Sequence, residues 1–283
     1  MEKLTPGIPL LPLSGTAWRG VRYGSTTRHG GVSSGPWESL NLGLRVGDDD
    51  KAVRENRRRL AASLPRVPFW LDQVHGRDVV EVNEARYGYV AAVTSPASLQ
   101  QPATGDGYVG AEHAPPRADA AITTCPGVVL AIMTADCMPV VIADSEGRAL
   151  GVAHAGWRGL AAGVLEATLG ALRARLPQAS AWRAWIGPCI GQANFEVGDE
   201  VRQAFVECDA TAASGFIAGR KPGKWQADLA GLARHRLETL GVYAVEFSGL
   251  CTFERDDLFY SYRRSSTSGR MATLAWLEAE QRP

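Results

Sequence analysis

Residues 134–159, TADCMPVVIADSEGRALGVAHAGWRG, concentrate groups that can do chemistry: a carboxylate at Asp136, a thiol at Cys137, an imidazole at His154 and a guanidinium at Arg158. A thiol and an imidazole within reach of each other can share a proton, as nucleophile and base, or share a metal ion. An arginine beside close-approach glycines, where a strand runs into a helix, offers an anion such as phosphate both charge and free backbone N–H groups. Packing requires none of these four groups, and their convergence on one sheet edge marks the stretch as a candidate site.

The elements that must position them are legible in the same residues. The runs 128–135 (VVLAIMTA) and 139–144 (PVVIAD) are apolar and β-branched enough for buried strands. Turn residues follow at 145–148 (SEGR), and 149–155 (ALGVAHA) returns as the partner strand, making a hairpin. With the turn centred between Glu146 and Gly147, Cys137 lies opposite Gly156 and His154 opposite Pro139. Thiol and imidazole then project from one face as diagonal neighbours, roughly 7–8 Å apart at the backbone. A helix follows over 160–176, with Val164, Leu165, Leu169 and Leu172 at helical spacing and Pro177 as its stop.

Upstream, 18–27 reads as a strand and 28–36 as a glycine-rich loop that lets backbone approach a ligand. Asp49 or Asp50 caps a basic helix over 51–64, with Val53, Leu60 and Leu64 inward and arginines 54, 57, 58 and 59 on a solvated face. The run 69–74 (FWLDQV) reads as a buried strand ending at His75-Gly76, with 79–82 (VVEV) resuming after a turn. His75 is thus a third candidate ligand, with Asp72 and Gln73 placed to orient it. Residues 87–116, rich in alanine, proline, glycine and glutamine, read as an insertion, with His113 exposed.

Downstream, 182–186 is a strand running into a turn that carries an accessible, partnerless Cys189. Helices are expected over 197–208 and 226–240, the second ended by Gly241, with a polar loop over 209–224 between them. Strands are expected over 242–247, 258–262 and 271–277. Between the last two, RRSSTSGR at 263–270 sets Arg263, Arg264 and Arg270 among hydroxyls and a glycine, a composition that can clamp phosphate bidentately.

Thirty basic and thirty acidic residues cancel across the 283, so no general field draws in nucleic acid or an acidic membrane surface. Five cysteines without a C-x-x-C pair suggest neither a disulfide framework nor a cysteine-only zinc knuckle, and fit the reducing cytoplasm. Prolines at 6, 9 and 12 break any signal-peptide core, and no apolar run reaches membrane-spanning length.

Taken together, 70–76 (WLDQVHG), 134–139 (TADCMP), 152–159 (VAHAGWRG), 195–202 (FEVGDEVR) and 261–270 (SYRRSSTSGR) resemble the laccase-domain, or YfiH-type, family. Its members are variously called polyphenol oxidase, peptidoglycan editing factor and purine nucleoside phosphorylase. The likeness runs from about Arg22 to Leu277 in unbroken order. It implies an α+β fold, a layered αββα sandwich of mixed sheets flanked by helices, as a single domain over 1–283 with an insertion at about 87–116. It also implies that His75, Cys137 and His154 are the metal ligands, and that the substrates are purine nucleosides and phosphate. The family is credited with phosphorolysis of adenosine, inosine, guanosine and methylthioadenosine, and with adenosine deamination. The segment between His75 and Asp119 is longer here than the family usually has.

Two histidines and a cysteine suit zinc with a fourth position open; copper can take the same ligands. In this reading Arg158, with Arg263 or Arg264, holds phosphate, and Asp136 or a ring-bound water protonates the departing base. Five histidines are too few for a four-copper oxidase, which leaves phenol oxidation as a side activity. The competing readings are a metal-free thiol hydrolase acting on a cell-wall precursor and a nucleoside-binding module without turnover.

Overall fold

The computed structural model describes residues 13–83, 90–92 and 115–279. Two sheets stacked face to face, with helices on both outer faces, make the expected αββα sandwich. The smaller sheet orders β1 (Val21–Ser25), β13 (Met271–Leu277) and β5 (Leu130–Thr134) antiparallel, with β13 central. The larger sheet has seven strands: β2 (Val79–Val82), β3 (Val90–Ala92), β4 (Ala120–Thr123), β6 (Met138–Asp144), β7 (Leu150–Ala155), β8 (Trp182–Ile186) and β12 (Ala244–Phe247). They run in the order β12-β8-β6-β7-β4-β2-β3. The β12–β8 and β2–β4 pairs are parallel and the rest antiparallel.

Period-2 alternation divides each strand between two cores. On β6, Met138, Val140 and Ile142 face the helical layer while Val141 and Ala143 face the smaller sheet. On β13, Ala275 and Leu277 face inward while Ala272, Leu274 and Trp276 face the outer helix α1 (Asp50–Ala61). The opposite outer layer holds α2 (Trp157–Ala162), α3 (Val164–Arg175), α4 (Asp199–Val206) and α5 (Leu229–Thr239). A satellite sheet of β9 (Glu196–Gly198), β10 (Phe216–Ala218) and β11 (Lys224–Ala227) lies beside them. Helix α1 starts where its cap demands, with the Asp49 side chain accepting from Lys51 N at 2.9 Å. Val53 and Leu60 are fully buried, each worth about 2 kcal/mol.

Several expectations are corrected. Residues 69–74 are extended but form no strand: Phe69 bridges Leu130 and Asp72 bridges Arg117, so no neighbour runs alongside for more than one residue. Residues 258–262 curl through turns, and their apolar side chains plug a small core where Phe259 and Tyr260 meet Ala135 and Met271. The helix expected from 160 begins at Trp157 and breaks at Gly163, whose φ of 93° is left-handed backbone that glycine adopts without strain. The polar loop at 209–224 contains a 3-10 turn (Ala210–Gly215) and β10, and β9 takes the start of the helix expected at 197. Cys189 is buried, not accessible; its backbone pairs in parallel register with that of Cys251, and both thiols are free. Most of the 87–116 insertion, His113 included, lies outside the described residues; β3 within it pairs with β2.

Candidate functional site

The hairpin register is the one the turn predicts. Pro139 pairs with His154 and Met138 with Ala155, carrying Cys137 opposite Gly156. His154 continues the row of Leu150 and Val152 toward the smaller sheet, and Cys137 sits one residue before β6, after Asp136 at φ 86°. His75 arrives from the 74–76 turn, also in left-handed backbone at φ 61°. The ligand atoms of His75, Cys137 and His154 all lie within 4.8 Å of one another, the only such group of three or more among the described residues. Cys137 Sγ lies 3.8 Å from His75 Nε2, and the two imidazole rings meet edge to face at 4.8 Å. Ligands around a tetrahedral zinc stand about 3.5 Å apart, so this two-His, one-Cys set can hold a metal ion with little adjustment.

What holds the trio together is Asp119, a residue the sequence reading passed over. Its buried carboxylate accepts from Val74 N (3.1 Å), His75 N (2.9 Å), Gly76 N (2.7 Å) and His154 Nδ1 (2.7 Å). One side chain therefore sets the strained His75 turn and the His154 ring orientation together, leaving Nε2 of His154 for a ligand. The signal was a lone acid inside the apolar run 118–122 (ADAAI), since a buried carboxylate demands dedicated donors. Burial opposes ionisation of Asp119, but the His154 bond and the amides outweigh it and lower its pKa. Gln73 and Asp72 do not orient His75. The Gln73 amide bonds the Met133 backbone at 2.7 and 2.8 Å, and Asp72 pairs with Arg45.

Burial alone would keep Cys137 and His154 neutral, but their mutual attraction wins. Cys137 is pulled down to about 6 by His154 and His75, and His154 is pushed up to about 9 by Cys137 and Asp119. Glycine is required beside them, because a Cβ on Gly156 would meet Cys137 Sγ at 2.9 Å and His75 Cδ2 at 3.2 Å.

The trio forms part of the lining of a cavity of about 700 Å³ whose walls also include Arg45, Arg57, Arg158, Arg263 and Arg270. Asp136 lines it too, but its carboxylate is committed to Thr252 Oγ1 (2.7 Å), Ser261 Oγ (3.0 Å) and Arg263 N (2.6 Å), which makes it an anchor for the 261–263 turn. Arg158 is exposed and stacks on Trp157 at 4.4 Å, at the start of a helix of only six residues. Arg263 donates to Glu196 O at 2.9 Å and lies over Phe195. Arg264 is absent from the lining. Its guanidinium bonds the carbonyls of Thr252, Phe253 and Phe259 at 2.6–3.0 Å, bracing that loop. Arg57, expected in solvent, instead turns inward over Trp70 at 4.1 Å and donates to Leu42 O at 2.9 Å. The signal was its place on the Val53, Leu60 and Leu64 stripe, one turn from Val53.

The profile of the family described as multi-copper polyphenol oxidoreductase laccase matches residues 22–278. A purine nucleoside phosphorylase of Pseudomonas aeruginosa is 47% identical over 258 residues, which is 91% of this chain and 94% of that protein. Purine nucleoside phosphorylase YfiH of Escherichia coli is 44% identical over 92% of this chain and 95% of its own. Among solved structures, a Neisseria meningitidis protein superposes with a TM-score of 0.78 at 39% identity, covering 94% of this chain and 98% of that one. YlmD of Geobacillus stearothermophilus superposes with a TM-score of 0.77 at 30% identity, covering 95% and 99%. No helix among the described residues is long and apolar enough to cross a membrane. A family profile spanning almost the whole chain, relatives alike along nearly their full length and the shared fold show that the chain belongs to the laccase-domain, YfiH-type family.

Proposed function

We propose that this chain is a zinc-dependent purine nucleoside phosphorylase acting on adenosine, inosine, guanosine and methylthioadenosine, with adenosine deamination as a second activity. The observation that carries the reading is the convergence of His75, Cys137 and His154 in one arginine-walled cavity. The names of the P. aeruginosa and E. coli relatives support the phosphorylase class. In phosphorolysis an oxygen of hydrogen phosphate bonds to ribose C1′, the bond from C1′ to the purine nitrogen breaks, and the base leaves with the proton that the phosphate gives up. Zinc on the trio would supply a Lewis acid and an acidified water, the latter being what deamination at purine C6 needs.

The chain's own residues do the rest. Asp119 fixes the orientation of His154 and the 74–76 turn, so two ligands are set before anything binds. Asp136, the residue preceding Cys137, ties the 261–263 turn to the start of β6. The cavity volume suits a nucleoside with phosphate.

The same donor set, two imidazoles and a thiolate, also suits copper, which supports phenol oxidation as a second reading. Metal analysis of the purified protein, followed by incubation with adenosine and phosphate and identification of products, tests both. Adenine with ribose 1-phosphate, and inosine from deamination, are expected from the zinc form. Stoichiometric copper with phenol turnover and no nucleoside turnover would replace the reading with the oxidase. A metal-free protein that cleaves amides through Cys137 would replace it with the thiol hydrolase.

A further inference from the structure

The cavity has two sides that belong to different layers of the sandwich. Trp157, Ile190, Phe195 and Leu229 come from the helical layer and its core, whereas Trp70 and Met133 belong to the core beneath α1. Arg270 sits with the second group. Its backbone N donates to Asn41 Oδ1 at 2.9 Å, its carbonyl accepts from Leu42 N at 3.1 Å, and its stem lies against Gly43. The carbonyl of that same Leu42 accepts from Arg57 Nε. Arg57 of α1, through its guanidinium, and Arg270, the residue preceding β13, through its backbone carbonyl, are thus tied to one loop residue, and both line the cavity that holds the metal-ligand trio.

The state of Arg270 is what singles it out. It is half-buried and makes no ion pair among the described residues; its hydrogen bonds there run from Nη1 to the carbonyls of Ser268 and Gly269 at 2.9 Å, and its guanidinium lies over the Tyr262 ring at 5.9 Å. Burial pulls its pKa below the usual guanidinium range, with Cys137 and Asp136 acting in the opposite sense. Asp136 acts on it only at a distance: its carboxylate is taken up by three other donors and forms no ion pair with Arg270. A guanidinium held away from water without a carboxylate is costly unless an anion completes it.

We infer that Arg270, with Arg57 beside it, is the seat of the anionic reactant, inorganic phosphate, and that the Trp157 and Phe195 side receives the purine. This rests on the phosphorolysis reading and moves the phosphate away from Arg158 and Arg264. The planar fork of arginine matches two phosphate oxygens, and the loop that carries Gly43 admits the stem because glycine adds no Cβ there.

The test uses the zinc-loaded full chain with inorganic phosphate as the probe. Phosphorus NMR line broadening reads phosphate affinity without turnover, and initial rates give separate KM values for phosphate and inosine. Arg270→Met, which keeps the stem and deletes the charge, should weaken phosphate binding and raise phosphate KM about tenfold or more, leaving inosine KM within about twofold. Trp157→Ala should do the reverse. Should Arg270→Met lose its fold by circular dichroism, Arg57→Gln carries the same expectation. Unchanged phosphate affinity in a folded Arg270→Met, or no phosphate binding by the wild type, overturns the seat. A wild type that binds phosphate through Arg270 yet forms no ribose 1-phosphate upholds the seat and overturns phosphorolysis.

Discussion

Replacing Asp119 with asparagine probes the link on which the site depends, because it changes charge and acceptor number at nearly constant volume. Val74 N and Gly76 N converge on Oδ2 at 3.1 and 2.7 Å, and His75 N and His154 Nδ1 on Oδ1 at 2.9 and 2.7 Å. An amide has one acceptor oxygen. Whichever way it turns, its NH2 faces two N–H donors, and two charge-assisted bonds worth about 1.5–3 kcal/mol each are lost. The summed cost is about 3–6 kcal/mol, toward the lower end because the exposed 74–76 turn can relax into solvent. That corresponds to a fall of roughly 5–10 °C in the melting temperature of the metal-free protein. Zinc affinity should fall about 10- to 100-fold, the usual consequence of removing the partner of a metal-bound imidazole. Thermal unfolding monitored by circular dichroism reads the first quantity, and competition against a chromophoric chelator reads the second. An Asp119→Asn protein with wild-type melting temperature and wild-type zinc affinity would refute the claim that this carboxylate organises the site.

Three further outcomes follow from the same geometry. His75→Ala or His154→Ala should abolish metal binding and nucleoside turnover together; retained turnover in a metal-free variant removes the metal from the chemistry. Gly156→Ala should cut zinc affinity about tenfold or more with little loss of melting temperature, since the new Cβ meets the Cys137 thiol and the His75 ring; unaltered affinity shows that the strand end yields freely. The third concerns pH. The raised pKa of His154, about 9, contributes stability that is complete below 6.5 and lost as pH rises through 9. The lowered pKa of Cys137, about 6, contributes stability that is complete above 9.0 and lost as pH falls through 6. The metal-free pair is therefore charged on both members between about pH 6 and 9, and zinc at pH 7.5 should expel about one proton, from His154. Calorimetry in buffers of different ionisation heat measures this, and a heat independent of the buffer contradicts it.

Much of the scaffold is written locally. The β6–β7 hairpin and its register follow from alternating apolar residues on either side of a short turn through Gly147, so the pairing of His154 with Pro139 could be read directly. Helix α1 was equally plain, with Asp49 at its cap and Val53 and Leu60 on one face. The segments 69–74 and 258–262 misled because burial alone raises apolar content, whether or not a neighbouring strand supplies a ladder. The inward turn of Arg57 was available from its position on the α1 stripe but looked like one more charge in a basic run.

The sequence by itself determined the hairpin on which Cys137 and His154 face one another and, through family likeness, which three residues were expected to meet at a metal. Only the tertiary structure decided what holds them there. Four donors from two distant segments converge on Asp119, and a buried carboxylate's partners lie far along the chain, where no periodicity reports them. It decided in the same way among the arginines. Which guanidinium spends its donors on backbone carbonyls, as Arg264 does, and which turns toward the cavity, as Arg270 does, depends on the packing of loops from opposite ends of the chain.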